Sequence, residues 1–339
     1  MATLVGLDIG SHSIKLIEIA KANNQFTLLS AGSCLMPPKT VAGSKLSENE
    51  LLAEALKKLF KDTGAGGREV NIALPEAQVI TRVIEIPELS SRELAGAIKW
   101  EAEQYIPLPL DQVNLDYTVL RDSRETKTNK MEVLLVAAPK VLLDRYLSIL
   151  ELAELTAVSA ETEIIAACRA LIRTATAVKT VLIVSLGATT TDLAILHGGI
   201  LAFTRSIAAG GEALSRSVAQ GLDFNLTQAE EFKKTYGLER DKLEGKIVAA
   251  AKPIMDNIVG EIKRAIAFYQ DKYKDEQVQT VILNGGTARL PGMVVYMAET
   301  LGVETQLANP WVGLKKEARF QVLENEGPTF GVAVGLALR

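Results

Sequence analysis

Apolar and polar positions along the chain follow two rhythms: alternation or short unbroken apolar runs that mark strands, and three- and four-residue spacing that marks helices. LDIGSHSIKLIEI, residues 7 to 19, is an apolar strand that enters a turn of small residues and returns as a second strand. VSLGATTTDLAIL, residues 184 to 196, repeats that arrangement in the second half. Gly10 aligns with Gly187, Ser13 with Thr190 and Leu16 with Leu193. In such a turn Gly supplies positive φ, and small neighbours leave backbone N–H groups accessible. Two hairpins at equivalent places predict a duplicated α/β architecture with a cleft between two lobes.

The segment between the hairpins has a different pattern. Residues 70 to 74 and 79 to 86 read as strands, the second alternating as VITRVIEI. Ser90 and Glu93 form a capping-box pattern that opens a helix to about Tyr105, closed by IPLP. Leu94, Ile98 and Tyr105 make its apolar stripe. Trp100 falls off that stripe, as an exposed anchor or packed under a neighbouring loop. Strands at 113 to 121 and 131 to 137 flank the polar loop DSRETKTNK, and a helix runs from about Pro139 to Ala153. This order predicts a small α+β subdomain, residues 69–152, inserted into a first lobe made of residues 1–68 and 153–178.

Residues 179–339 form the second lobe, with about 212–277 as its smaller subdomain. After its hairpin, AAGGEALSRSVAQGL is a Gly-Gly turn into a helix, and TQAEEFKKTYGL is a short charged helix ending at Gly237. A helix at about 254–273 sets Ile258, Ile262 and Ala265 on one face. TVILNGG is a buried strand entering a glycine turn, and LPGMVVYMAETLG is the helix after it. GPTFGVAVGLALR reads as a buried helix returning to the cleft. No low-complexity linker separates the lobes.

Composition narrows the chemistry. The net charge of −4, without a block of Lys and Arg, argues against nucleic acid or anionic lipid as the main partner. The start of the chain lacks the basic and apolar regions of a secretory leader, and no run of about 18 apolar residues predicts a membrane span. Cys34 and Cys168 stand far apart and read as free thiols. With His12 and His197 the only histidines, histidine catalysis and His/Cys metal sites have little material.

Three glycine turns carry the candidate chemistry: Gly10 to Lys15, Gly187 to Thr190, and Gly285 to Thr287. A phosphate chain needs converging N–H groups, hydroxyls and a point charge. The first turn offers Ser11, Ser13 and Lys15, and the second Thr189 and Thr190. Gly285 and Gly286 let a purine or ribose approach bare backbone beside Thr287. Asp8, ending the first strand, is placed to hold a water on Mg²⁺. Each turn alone reads equally as a plain hairpin tip; their order and duplication favour a shared nucleotide site. Neither G-x-x-x-x-G-K-[ST], G-x-G-x-x-G nor G-x-S-x-G occurs as a competing motif.

GLDIGSHSIK, LGATTTDLAIL and LNGGTARLPG resemble the two phosphate motifs and the adenosine motif of the actin/heat-shock/FtsA superfamily. Residues 99 to 120, KWEAEQYIPLPLDQVNLDYTVL, resemble the PilM family of type IV pilus assembly proteins. The resemblance implies an actin-like, two-lobed ATP-binding fold with an FtsA-like insertion. It implies ATP in the cleft, with Mg²⁺ on Asp8 through water. Glu230 and Lys233 match the A-E-x-x-K positions that flank the nucleoside; the alternative is a solvated i, i+3 ion pair. Ser185 stands where the superfamily places an Asp, with Asp192 expected to point elsewhere, so slow or absent hydrolysis is expected. The implied partner is the short cytoplasmic N-terminus of a PilN-type membrane protein, held beside the insertion, with a link onward to the motor ATPases. That implies a cytoplasmic scaffold at the inner membrane, held there through its partner. An FtsA-like division protein is the alternative, but such chains end in a basic amphipathic helix and this sequence stops at Arg339 without one. A small-molecule kinase of the same fold would need a catalytic carboxylate and a substrate pocket in the first lobe. A type II secretion protein of similar fold would continue into a transmembrane helix.

Overall fold

The computed structural model describes residues 2–23, 25–38, 47–175, 177–274 and 276–339. The first lobe opens with β1 (Ala2–Ile9), β2 (Ser13–Ala22), β3 (Gln25–Leu35), α1 (Glu48–Thr63) and β4 (Glu69–Leu74). Next come β5 (Ile80–Pro87), α2 (Ser91–Glu103), β6 (Val113–Arg121), the one-turn α3 (Ser123–Thr126), β7 (Lys130–Pro139) and α4 (Lys140–Leu152). β8 (Thr156–Thr162) and α5 (Glu163–Leu171) lead to the second lobe. Its elements are β9 (Thr180–Leu186), β10 (Thr191–His197), β11 (Ile200–Ile207), α6 (Gly211–Leu222), α7 (Leu226–Tyr236) and α8 (Lys246–Lys272). β12 (Thr280–Asn284), α9 (Met293–Leu301), β13 (Glu304–Leu307), β14 (Leu314–Lys315) and α10 (Gly327–Ala337) complete the chain.

The duplication expected from the two hairpins is visible in the sheets. One has the strand order β14-β3-β2-β1-β4-β8, the other β11-β10-β9-β12-β13. In each, an antiparallel meander of three strands is extended at one end by two parallel ones, and in the first sheet β14 adds a short parallel strand beside β3. Parallel strands need both faces covered, so they read as unbroken apolar runs. β9 shows why: Val181 and Ile183 enter one core, and Leu182, Val184 and Leu186 enter another.

The third sheet, β5-β7-β6, is antiparallel and covered on one face by α2. Here the sequence pattern needs correction. The strand expected at 70–74 as part of the insertion is β4, which pairs with β1 and β8 inside the first-lobe sheet. Its neighbours in sequence resemble it in composition, and pairing partners cannot be read from alternation. The α2 stripe is Leu94, Ile98 and Ala102; Tyr105 lies past the helix end and is 43% exposed. The loop after β6 holds α3, opened by an Asp122–Glu125 capping box. Both predicted ends of α4 lie within a residue of its observed ones.

α8 starts about two turns earlier than expected and runs through Pro253. Proline there forfeits one backbone bond, but Ile247 and Ala251 on the preceding turns are buried and hold the helix. A charged junction ties the three-stranded sheet to α8. Arg121 pairs with Glu132 at 3.0 Å and donates to the His197 carbonyl at 2.7 Å. Lys272 bridges Glu85 and Glu132 at 2.8 and 2.9 Å, and the Tyr273 hydroxyl donates to Glu132 at 2.5 Å.

α10 is the central pin. Nearly all of it is buried, against α5 on one side and β1 on the other. Glycines permit that approach: a Cβ on Gly335 would stand 1.8 Å from the Ala166 carbonyl, and one on Gly6 2.1 Å from that of Ala333. No helix among the described residues is long and apolar enough to cross a membrane.

Candidate functional site

The three glycine turns meet between the lobes. The first joins β1 to β2, closed by the Gly10 N–H donating to the Ser13 carbonyl at 3.2 Å. The second joins β9 to β10 through Gly187 N–H to the Thr190 carbonyl at 2.9 Å. Gly10 and Gly187 do not have positive φ, contrary to the reason expected for them. A Cβ would instead crowd the returning carbonyl, at 3.1 Å from Ser13 O and 3.0 Å from Thr190 O. Gly285 is the conformational glycine, with φ 90° and the Leu186 carbonyl 2.3 Å from where a Cβ would lie.

Hydrogen bonds hold the turns together. The Thr287 hydroxyl donates to the Gly187 carbonyl at 2.8 Å, which also accepts from Gly211 N–H at 3.0 Å. Gly285 N–H donates to the Pro328 carbonyl at 2.6 Å, seating the third turn on the start of α10. Across the cleft, the Thr189 hydroxyl lies 3.3 Å from that of Ser11. Ser11, Thr189 and Gly286 are exposed, Ser13 and Thr190 half-buried, and nothing approaches within 4 Å of a Cβ built on Gly286. The turns thus present hydroxyls and bare backbone to one shared space.

Behind them sits a charged pair. Asp8 and Lys15 are opposite each other in the β1–β2 register, and Lys15 Nζ lies 3.2 Å from Asp8 Oδ2. Asp8 is buried and Lys15 half-buried, at 5% and 14% side-chain exposure, so each charge depends on the other.

Asp192 differs from expectation. It lies directly across from Ser185 in the β9–β10 register, so the two side chains share one face. The Thr190 hydroxyl donates to its Oδ2 at 3.1 Å, while its Oδ1 has no partner among the described residues. Burial lifts its pKa to about 6, against the pull of the Ser206 and Thr190 hydroxyls. Ser185 in turn accepts from the Asn284 amide at 2.7 Å. Motif position alone does not disclose that antiparallel pairing returns Asp192 to the same side as Ser185.

Two more carboxyls join this floor without having been foreseen. Glu163 opens α5, and its carboxyl is driven well above the usual range by burial and then by the nearby charges of Asp8 and Asp192. Glu76, in the turn after β4, is 5% exposed and burial raises its pKa to about 7. Glu163 reads in sequence as an ordinary acidic first-turn residue, and Glu76 as a polar turn residue. Asn284 had a visible signal: an amide ending the apolar run TVILN. Among the described residues no group of three or more His, Cys, Asp or Glu is placed to hold a metal ion. A single carboxylate such as Asp8 suits Mg²⁺ that keeps most of its waters.

Glu230 and Lys233 are not a solvated pair. Lys233 is 5% exposed, and its ammonium donates to Glu230 at 2.6 Å, the Gly211 carbonyl at 2.8 Å and Ser215 at 2.7 Å. Burial opposes the charge on Glu230, but the bonds from Lys233 and Ser215 outweigh it and hold its pKa at about 2. The pair locks α7 to the first turn of α6, directly beside Gly187 and Thr287. Trp100 is 74% exposed on α2, far from these turns in the chain.

Comparison with known proteins places this geometry in context. A family model described as type IV pilus assembly protein PilM matches residues 6–339. A solved PilM-PilN type IV pilus biogenesis complex is similar at 29% identity and TM-score 0.86, over 99% of this chain and 98% of that one. The structure of MreB 5 of Spiroplasma citri bound to AMPPNP is similar at 14% identity and TM-score 0.51, over 100% and 96%. That likeness establishes the actin-like fold. Cell division protein FtsA of Streptococcus pneumoniae serotype 2 (strain D39 / NCTC 7466) is 21% identical over 94% of this chain and 78% of its own length.

Proposed function

The chain belongs to the type IV pilus assembly protein PilM family, and from that premise we propose that it is an ATP-binding scaffold of the pilus assembly platform. ATP occupies the space between the three turns. Ser11, Ser13, Thr189 and Thr190 face its phosphates together with Lys15, and Gly285, Gly286 and Thr287 meet the nucleoside. Asp8 holds Mg²⁺ through water; the ion would neutralise phosphate charge when bound. Glu230 and Lys233 act by positioning α6 rather than by touching phosphate. The observation that carries this reading is the hydrogen-bonded convergence of the turns, Thr287 to Gly187 and Thr189 toward Ser11.

The partner is the short cytoplasmic N-terminus of a PilN-type membrane protein, which would bring this protein to the inner membrane and link it to the motor ATPases. The likeness to a PilM-PilN complex supports this. The small sheet and α2, about residues 79 to 139, supply the interaction body, with strand edges and apolar pockets sharing recognition. Exposed Trp100 is its candidate anchor.

Bound ATP serves chiefly to hold the two lobes in one orientation, favouring the closed form. Calorimetry with ATP and with a synthetic PilN-type N-terminal peptide tests both halves of the proposal. Micromolar binding of each, about 8 kcal/mol at that affinity, is expected. Trp100→Ala should weaken the peptide and leave ATP unchanged; the opposite pattern would reject the assignment.

A further inference from the structure

Where β5 of the small sheet faces β11 and α8, a cavity of about 800 Å³ opens. It is bounded by none of the three glycine turns. Its volume lies within the range of small-molecule sites, roughly 300–1,000 Å³.

The floor is polar and incomplete. Glu76 and Thr81 are 5% and 7% exposed. Glu76 Oε2, Thr81 Oγ1 and Ser206 Oγ have no hydrogen-bond partner among the described residues. The Thr81 and Ser206 hydroxyls lie close enough to the Glu76 and Asp192 carboxyls to lower their pKa, so the floor is a polar surface built of hydroxyls and carboxyls.

The walls and rim add two further requirements. Phe203 and Phe268 pack with ring centroids 5.3 Å apart, and Phe268 remains 60% exposed. Arg82, Arg205 and Arg264 surround the opening. Glu261 pairs with both Arg205 and Arg264, and Arg82 makes no ion pair among the described residues. Three guanidinium groups against Glu261 and the Glu76 carboxyl of the floor leave the cavity net positive.

We propose that this cavity, bounded by none of the glycine turns but sharing Glu76 with the carboxyl floor beneath them, is a second ligand site for a small organic anion with an aromatic or apolar body. The anionic group meets the arginines, and the body lies on the phenylalanine pair. Arg guanidinium is suited to this task, since it pairs with carboxylate or phosphate in two-point geometry and stacks on aromatic faces. One wall comes from the inserted sheet and the others from the second lobe. A bound molecule would therefore bridge them, next to the junction of Arg121, Glu132 and Lys272.

Anilinonaphthalene sulfonate, an aromatic anion, tests this on the full chain by fluorescence titration, with neutral N-phenylnaphthylamine as the uncharged counterpart. One saturable sulfonate site per chain is expected. Arg82→Ala and Arg264→Ala, at exposed positions that should fold normally, should each weaken it about tenfold. Phe268→Ser should weaken both probes, and the exposed Arg240→Ala should change neither. No saturable site, equal affinity for the neutral probe, or indifference to the arginine variants would overturn the proposal. Displacement of the probe by the PilN-type peptide would also overturn it, by making the cavity part of the peptide groove.

Discussion

Lys15→Ala tests the site most directly, because one substitution should have two separable effects. In the resting protein Lys15 and Asp8 are 3.2 Å apart, the one half-buried and the other buried, at 14% and 5% side-chain exposure. Removing the ammonium strands the Asp8 carboxylate in the β1–β2 hairpin. Breaking a buried pair in this way typically costs about 3–5 kcal/mol. Lys15 keeps some contact with solvent, so about 3 kcal/mol is the expected loss, read from urea unfolding. The double variant Lys15→Ala with Asp8→Asn removes the stranded charge and should recover most of it. The effect on binding is smaller. A hydrogen bond to a charged group contributes about 1.5–3 kcal/mol, but Lys15 must trade Asp8 for phosphate, so the lower value applies. That is about a tenfold loss for ATP, with adenosine unchanged. Calorimetry with ATP, ADP and adenosine separates these cases. Equal losses for ATP and adenosine would remove Lys15 from the phosphate site. Unchanged stability would show that Asp8 does not depend on it.

Gly335→Ala should cost about 3 kcal/mol or prevent folding, since its Cβ would fall 1.8 Å from the Ala166 carbonyl; Gly96→Ala, with open space around it in α2, should instead stabilise by about 0.5–1 kcal/mol, and similar urea midpoints for the two would refute the packing account. Glu76 has a folded pKa raised to about 7, so its contribution to stability is full below the unfolded value near 4.5 and is lost as pH rises through 7. Glu76→Gln should therefore match the native protein at pH 4 and exceed it by about 3 kcal/mol at pH 8, measured by denaturant unfolding; a gain independent of pH would rule the burial argument out. Phosphate release by the purified protein should fall below about 0.1 per second, under the roughly 1–10³ per second of ordinary enzymes. Ser185→Asp should not raise it, because Asp192 already occupies that face and a second carboxyl opposite it would push both towards the neutral form. Turnover near one per second in the native chain would refute the clamp.

The duplicated architecture was legible in the sequence because hairpin pattern is local. The runs around Gly10 and Gly187 each carry strand, turn and strand within 13 residues, and the paired sheets follow from them. The turn hydroxyls of Ser11, Ser13, Thr189 and Thr190 were legible for the same reason, since each lies within one of these two local turns. The capping box at Ser90 likewise needed only four residues, as the helix it opens shows. What the chain could not disclose alone were decisions made between distant segments. That β4 belongs to the first-lobe sheet depends on pairing with β1 and β8, and alternation is blind to partners. Asp192 faces the site because β10 runs antiparallel to β9 in one particular register, and a slip of one residue would have turned it away. Glu76 and Glu163 became part of the cleft floor only when packing removed water from them, and burial is a property of the whole fold. The motif matched Lys233 to a nucleoside-flanking position, but only the packing of α6 against α7 showed it buried and bonded to Gly211 and Ser215. The local code set the turns, and the tertiary structure chose which charges they would share.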